Sequence, residues 1–119
     1  MRVLIVEDEP DVALLIEDIA LAEGFEVIGI ATKTTEAMEL ARETDLAVVD
    51  VRLSDGLSGP KIARALATGF NVGVVFLTGS PELVASLPSI HVVDKHAGTK
   101  GIAKALKLAA ASHTKKGSV

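Results

Sequence analysis

The sequence contains no cysteine, no tryptophan and no tyrosine, and only three phenylalanines among its 119 residues. The missing cysteines exclude a disulfide framework and a thiolate metal site. Because only three aromatic rings remain to stack on a cofactor, a flavin-binding electron carrier is disfavoured. The three histidines, His91, His96 and His113, lack the spacing of a metal site and are interpreted as incidental.

Long hydrophobic runs and basic blocks are also missing. Apolar runs such as residues 3–6 and 74–77 have the length of a strand, whereas a membrane helix needs about 20 residues. The four apolar residues before Glu7 are too few for a signal peptide, so a cytoplasmic protein with no membrane partner is expected. The net charge of −4, with no basic block before the tail, argues against a nucleic-acid partner.

The apolar segments that are present alternate between strand and helix patterns within a length that fits one domain. Short apolar runs predict buried strands over residues 2–6, 26–31, 46–50, 72–77 and 90–93. Helical spacing predicts five helices. The first spans residues 10–22, the second runs from a Thr34 cap to residue 41, and the third spans 59–69. The fourth is short or irregular, over 81–87, and the last begins at Gly98 or Thr99. This alternation predicts a flavodoxin-like (βα)5 doubly wound α/β fold with a parallel sheet of order 2-1-3-4-5. We expect the domain to span residues 1–112 and residues 113–119 to form a flexible tail.

Polar residues follow four of the predicted strands. Glu7 and Asp8 follow the first strand, Asp50 ends the third, Thr78 follows the fourth and Lys95 lies just after the fifth. In the predicted order these strand ends lie at one edge of the sheet, where open α/β sheets bind ligands. Taken singly, an acid or a threonine after a strand is an ordinary turn or helix-start residue. Their occurrence together, in strand order, predicts one acidic pocket.

The chemistry of this pocket is predicted to be phosphoryl transfer. Three carboxylates held close together recruit a cation, and a set of oxygen ligands without cysteine favours Mg²⁺ over Zn²⁺. Asp8 and Asp50 are the predicted direct ligands, and Glu7 is predicted to act through water. Asp50 is the predicted nucleophile, because a carboxylate can attack phosphorus to form an acyl phosphate. Thr78 and Lys95 are expected to bind the phosphoryl oxygens.

Four motifs at the strand ends carry a family resemblance: Val-Leu-Ile-Val-Glu-Asp-Glu-Pro at residues 3–10, Asp50 followed by Leu53, Phe-Leu-Thr-Gly at 76–79, and Asp-Lys at 94–95. Together they resemble the receiver domain of bacterial two-component response regulators over essentially residues 1–112. The resemblance implies a phosphoacceptor at Asp50, metal ligands that include the backbone carbonyl of Arg52, and switch roles for Thr78 and Lys95. It also implies a sensor histidine kinase or a histidine phosphotransfer protein as donor, an unknown downstream protein as partner, and slow autodephosphorylation without independent substrate turnover. No output domain follows in the sequence, so a stand-alone receiver is expected.

The sequence departs from that family at several positions. Val92 stands where the family has an aromatic residue, and His96 stands where it has a proline, which predicts a trans peptide bond there. The segment between Thr78 and Lys95 is also short. These departures motivate an alternative function, a pseudo-receiver that binds partners without being phosphorylated. Arg52 and Ser80 either gate water access to the phosphoryl group or are plain surface residues; Arg52 also replaces the second acid expected of an aspartyl-phosphate phosphatase.

Overall fold

The fold is a five-stranded parallel sheet covered by helices on both faces. The computed structural model describes residues 1–56, 58–79, 91–94 and 97–117, with side chains described to residue 113. The sheet has the order β2-β1-β3-β4-β5, which confirms the predicted flavodoxin-like topology. Its strands are β1 Arg2–Val6, β2 Glu26–Ala31, β3 Leu46–Asp50, β4 Gly73–Thr78 and β5 His91–Asp94. Its helices within the described ranges are α1 Pro10–Ala22, α2 Thr34–Leu40, α3 Gly59–Phe70 and α4 Gly98–Gly117, with one short 3₁₀ turn at Ala41–Glu43.

The core has two layers because successive residues of each strand point to opposite faces of the sheet. On one face, Leu4, Val49 and Phe76 pack against α2 and α3. On the other face, Ile5 and Val48 pack against α1 and α4. The central strands are buried along almost their whole length, as expected of parallel strands covered on both sides. Within the described part of the chain, no helix combines the length and the apolar character that a membrane crossing needs.

The strands pair in a register that brings their carboxyl ends to one edge. Val6 of β1 pairs with Val49 of β3, and Asp50 pairs with Leu77 of β4. Thr78, the last residue of β4, pairs with Asp94 of β5. The residues that follow β1, β3 and β4 therefore emerge side by side, as the sequence analysis predicts.

Most predicted boundaries are confirmed, and the deviations are small. Strands β4 and β5 each begin and end one residue later than predicted, and the other deviations lie at helix ends. The predicted bounds of β1, α1, β2 and β3 agree with the structure. The prediction that Thr34 caps α2 is wrong: Thr34 is the first residue of the helix, and the extended Lys33 precedes it. Gly69 does not end α3 either, because the left-handed conformation that stops the helix is adopted by Asn71, with φ 55°.

Four predictions about the second half of the chain are not tested. The short helix expected over 81–87 and the trans bond before His96 lie outside the described residues. The backbone of α4 is helical as far as Gly117. The domain boundary at residue 112 and the flexibility of residues 113–119 stay predictions.

Candidate functional site

Three carboxylates converge at the carboxyl edge of the sheet. Glu7 and Asp8 follow β1 directly, and Asp50 is the last residue of the neighbouring β3. Carboxylate oxygens of the three side chains all lie within 4.8 Å of one another. Glu7 is 1% exposed and Asp50 is 4% exposed, whereas Asp8 is partly exposed. The structure therefore brings together the three acids predicted from the sequence.

Backbone N–H groups orient two of these carboxylates. Oε2 of Glu7 accepts hydrogen bonds from the N–H groups of Asp8, at 3.1 Å, and of Glu9, at 3.2 Å. Oδ1 of Asp50 accepts a hydrogen bond from the N–H of Arg52, at 3.3 Å. Because each donor lies one or two residues after its acceptor, the turn that follows each strand sets the direction of the acid.

The segment after β3 is tied into a compact turn. Leu53 and Gly56 exchange two backbone hydrogen bonds, of 2.8 and 2.9 Å, and Gly56 has a φ of +105°, a value that favours glycine. The hydroxyl of Ser54 donates to the carbonyl of Thr32 at 3.4 Å, so the turn also contacts the end of β2. The N–H of Gly59, at the start of α3, donates to the carbonyl of Val51 at 3.2 Å. Backbone contacts therefore hold this segment at both of its ends.

An open cleft of about 380 Å³ lies in front of these acids. Its lining residues come from the ends of β1, β3 and β4: Asp8, Glu9, Asp50, Arg52, Leu53, Thr78 and Gly79. Thr78, which is 3% exposed, is a buried residue of this lining. Lys95 and Ser80 lie outside the described residues, and their predicted roles stay untested.

The donor set of the cleft suits a hard divalent cation. Every candidate ligand is a carboxylate or carbonyl oxygen, which Mg²⁺ prefers, and only a few protein ligands are present, so water and phosphate oxygens can complete the coordination. A cation would also offset the repulsion among three like charges. Asp8 and Asp50 line the cleft, whereas the more deeply buried Glu7 does not. The division into two direct carboxylate ligands and a third acid that acts through water stays a prediction.

The structure adds cleft residues to which the sequence analysis gave no role. Glu9 and Gly79 line the cleft, each one residue beyond a predicted site residue. The acidic run Glu7-Asp8-Glu9 is a signal that could have indicated Glu9. Gly59 packs on the backbone of Asp50 and Val51 at the end of β3, and nothing in the sequence alone points to that contact.

Comparison with known proteins gives a match consistent with this geometry. Residues 3–92 match the family described as Response regulator receiver domain. The phyllosphere-induced regulator PhyR of Methylorubrum extorquens is 40% identical over 84 residues, which cover 68% of this chain and 32% of PhyR.

Two solved structures extend the similarity to the fold. The solution structure of the PhyR receiver domain of Erythrobacter litoralis has a TM-score of 0.82 and 28% identity, covering 91% of this chain and 88% of that one. The crystal structure of the anti-anti-sigma factor PhyR of Bartonella quintana has a TM-score of 0.83 and 26% identity, covering 99% of this chain and 51% of that one. The chain thus spans about a third of the curated PhyR and half of the Bartonella protein.

Proposed function

Because this chain belongs to the response regulator receiver family, we propose that it accepts a phosphoryl group on Asp50 in a Mg²⁺-dependent reaction. The observation that carries the proposal is the cluster of Glu7, Asp8 and Asp50 oxygens within 4.8 Å at the carboxyl edge of the sheet. Carboxylates this close together repel one another and lower the stability of the metal-free protein. Such an arrangement is typical of a site that binds a cation or carries out a reaction.

The proposed step is a transfer from phosphohistidine to carboxylate. An oxygen of Asp50 forms a bond to phosphorus while the bond between phosphorus and the imidazole nitrogen breaks. The electron pair of the broken bond stays on that nitrogen, and the imidazole ring takes up one proton from water, so that the donor histidine leaves as neutral imidazole. The product is an acyl phosphate on Asp50, and attack by water later releases inorganic phosphate and restores the carboxylate. We propose no turnover of a separate substrate.

Residues of this chain have distinct roles in the proposed step. Asp8, Asp50 and the Arg52 carbonyl would hold Mg²⁺, with Glu7 acting through water. The chemistry that the bound ion supplies is neutralisation of the acids and binding of a phosphoryl oxygen. The N–H of Arg52 orients the Asp50 carboxylate for attack. Thr78 lines the cleft, and we assign to its hydroxyl a hydrogen bond to a phosphoryl oxygen. We assign the balancing cation to Lys95.

We assign the donor to a sensor histidine kinase or a histidine phosphotransfer protein, acting in the cytoplasm. The output is proposed to be binding of a downstream protein, controlled by phosphorylation. Support comes from the Bartonella quintana relative, whose name, anti-anti-sigma factor, describes an action on another protein. Because this chain matches only half of that relative, the downstream partner is not carried over.

Phosphorylation with a small-molecule donor tests the proposal directly. Incubation with acetyl phosphate and Mg²⁺ is expected to add one phosphoryl group, seen by intact mass spectrometry, and EDTA is expected to prevent the addition. Asp50→Asn should abolish the mass shift. Asp55→Asn, which changes an exposed acid on the same turn, should retain it. A wild-type protein that stays unmodified with Mg²⁺ present would reject the proposal.

A pseudo-receiver that only binds partners is the second candidate. Val92 favours it, because this residue of β5 is 39% exposed and offers no aromatic ring to rearrange on phosphorylation. The two functions separate in the same experiment, since a pseudo-receiver takes up no phosphoryl group from acetyl phosphate.

A further inference from the structure

Gly59 makes an unusually close backbone contact with the candidate phosphoacceptor strand. It is the buried first residue of α3. A Cβ atom at this position would lie 2.7 Å from Cα and 2.8 Å from the carbonyl oxygen of Val51, and closer still to the carbonyl oxygen of Asp50. All three are backbone atoms, which cannot turn away as the end of a side chain can. Only glycine lets the helix begin against this strand.

The strand side of this contact has little freedom to move. Asp50 is paired with Leu77 of β4, so the end of β3 is fixed by the sheet. The side chains of Val51 and Leu53 are 1% and 6% exposed, and they pack in the same core layer as Ile62 of α3. Leu53 is also bonded to Gly56 across the turn. Arg52, which lies between these two buried residues, is exposed, so a displacement caused at residue 59 is expected to be taken up there.

The helix side is stiff as well. Pro60 follows Gly59 in the first turn of α3, where its fixed φ suits a helix start. Ile62, Ala63 and Leu66 anchor the helix in the core. A shift of the whole helix would break this packing, so the smaller local shift at Arg52 is the expected response to any Cβ at position 59.

We propose that Gly59 is a positioning residue of the phosphoryl-transfer site. By letting α3 begin in contact with the backbone of Asp50 and Val51, it holds Arg52 where its N–H orients the Asp50 carboxylate and its carbonyl can bind the cation. This inference rests on the proposed function, because its consequence is expressed in Mg²⁺ binding and phosphoryl uptake.

Gly59→Ala tests the inference, and Gly69→Ala is a matched control. Both residues lie in α3, but a Cβ added at Gly69 meets no atom within 4 Å. The Mg²⁺ dissociation constant is measured by NMR titration of the folded-state amide signals, and phosphoryl uptake by reaction with acetyl phosphate. Gly59→Ala is expected to weaken Mg²⁺ binding about tenfold or more, as is typical when the support of a metal ligand is lost. It should also move the Arg52 amide signal before Mg²⁺ is added. Gly69→Ala should match the wild type in both.

All three proteins are measured in sucrose, which favours the folded state, so that a loss of stability is separated from a change in the site. If folded Gly59→Ala binds Mg²⁺ as tightly as the wild type and is phosphorylated at the same rate, the positioning role is rejected and Gly59 is only a packing residue. If the wild type itself neither binds Mg²⁺ nor takes up a phosphoryl group, the proposed function fails and this inference fails with it.

Discussion

The interior of the sheet and its carboxyl edge are built from the same three strands, β1, β3 and β4, yet they follow opposite rules. In the interior, the apolar residues 3–6, 46–49 and 74–77 are at most 3% exposed. The edge residues lie one or two positions after these apolar runs, and their side chains are polar yet buried or partly buried: Glu7, Asp8, Asp50 and Thr78. Burial stabilises apolar side chains but penalises charged ones.

The contrast separates residues that provide stability from residues that provide chemistry. Among the described residues, one other polar side chain, that of Thr44, is buried, and its hydroxyl is satisfied by the Leu40 carbonyl at 2.7 Å. The acids at the edge lie within 4.8 Å of one another, and we expect their mutual repulsion to oppose folding until a cation or a phosphoryl group is bound. Substitutions in the two regions are therefore expected to change stability in opposite directions.

The largest change in the free energy of unfolding is expected from a substitution in the interior. Phe76 of β4 is completely buried in the layer beneath α2 and α3. Phe76→Ala should lower the free energy of unfolding by about 3–5 kcal/mol, because the variant loses apolar burial and leaves a cavity. Urea unfolding followed by far-UV circular dichroism measures the change, since tyrosine and tryptophan fluorescence are absent. Phe70→Ala, at the 37% exposed end of α3, is the matched control and should cost less than about 1 kcal/mol. Equal losses at the two positions would contradict this account of the core.

The next largest change in the free energy of unfolding is expected when Mg²⁺ binds at the edge. A ligand that binds only the folded state stabilises it by about 2.7 kcal/mol at 100 times its dissociation constant. Urea unfolding of the wild type with MgCl₂, compared with NaCl at equal ionic strength, should show a gain of this size. Asp8→Asn removes a proposed direct ligand and should lose most of it. A gain that is unchanged in Asp8→Asn would place the cation elsewhere.

Removing one charge at the edge, in the absence of metal, is expected to raise the free energy of unfolding, whereas Phe76→Ala lowers it. The change is expected to be smaller than that caused by Mg²⁺. Asp50→Asn keeps an oxygen that can accept the Arg52 N–H but removes repulsion with Glu7 and Asp8. Its free energy of unfolding in EDTA should exceed that of the wild type by on the order of 1 kcal/mol. Asp18→Asn, at an exposed position of α1, serves as the control and should change it by less than about 0.5 kcal/mol. If Asp50→Asn is destabilised instead, the acids are not a source of strain.

The two regions also differ in how far the sequence predicts them. The strands of the interior are visible as apolar runs, and their order follows from the alternation with helices. The meeting of Asp8, Asp50 and Thr78 then follows from the parallel arrangement, because each residue lies at or beside the end of its strand. For this reason most of the acidic cleft was predictable before any coordinates.

What could not be predicted depends on contacts between distant segments. The close approach of Gly59 to Asp50 arises from how α3 packs on β3, and no local pattern encodes it. The end of α3 was misplaced because Asn71, not a glycine, adopts the left-handed conformation there. The start of α2 was misassigned because Glu36 accepts its hydrogen bonds from Thr32, two residues before Thr34.

The smallest effect is expected outside both regions, at the exposed start of α2. The hydroxyl of Thr32 donates to Oε1 of Glu36 at 2.7 Å, and its N–H donates to the same atom at 2.8 Å. These bonds, and to a lesser degree Lys33, hold the pKa of Glu36 below its ordinary value of 4.5. Because the folded state favours the carboxylate, the stabilisation is present above about pH 4.5 and is lost as the pH falls through the lowered pKa.

Glu36→Gln should therefore be slightly less stable than the wild type at neutral pH, with the difference shrinking in acid. Glu39→Gln removes the same charge from the same helix and serves as the reference in parallel urea curves; a Glu36→Gln deficit as large at about pH 3 as at about pH 7 would contradict the assignment.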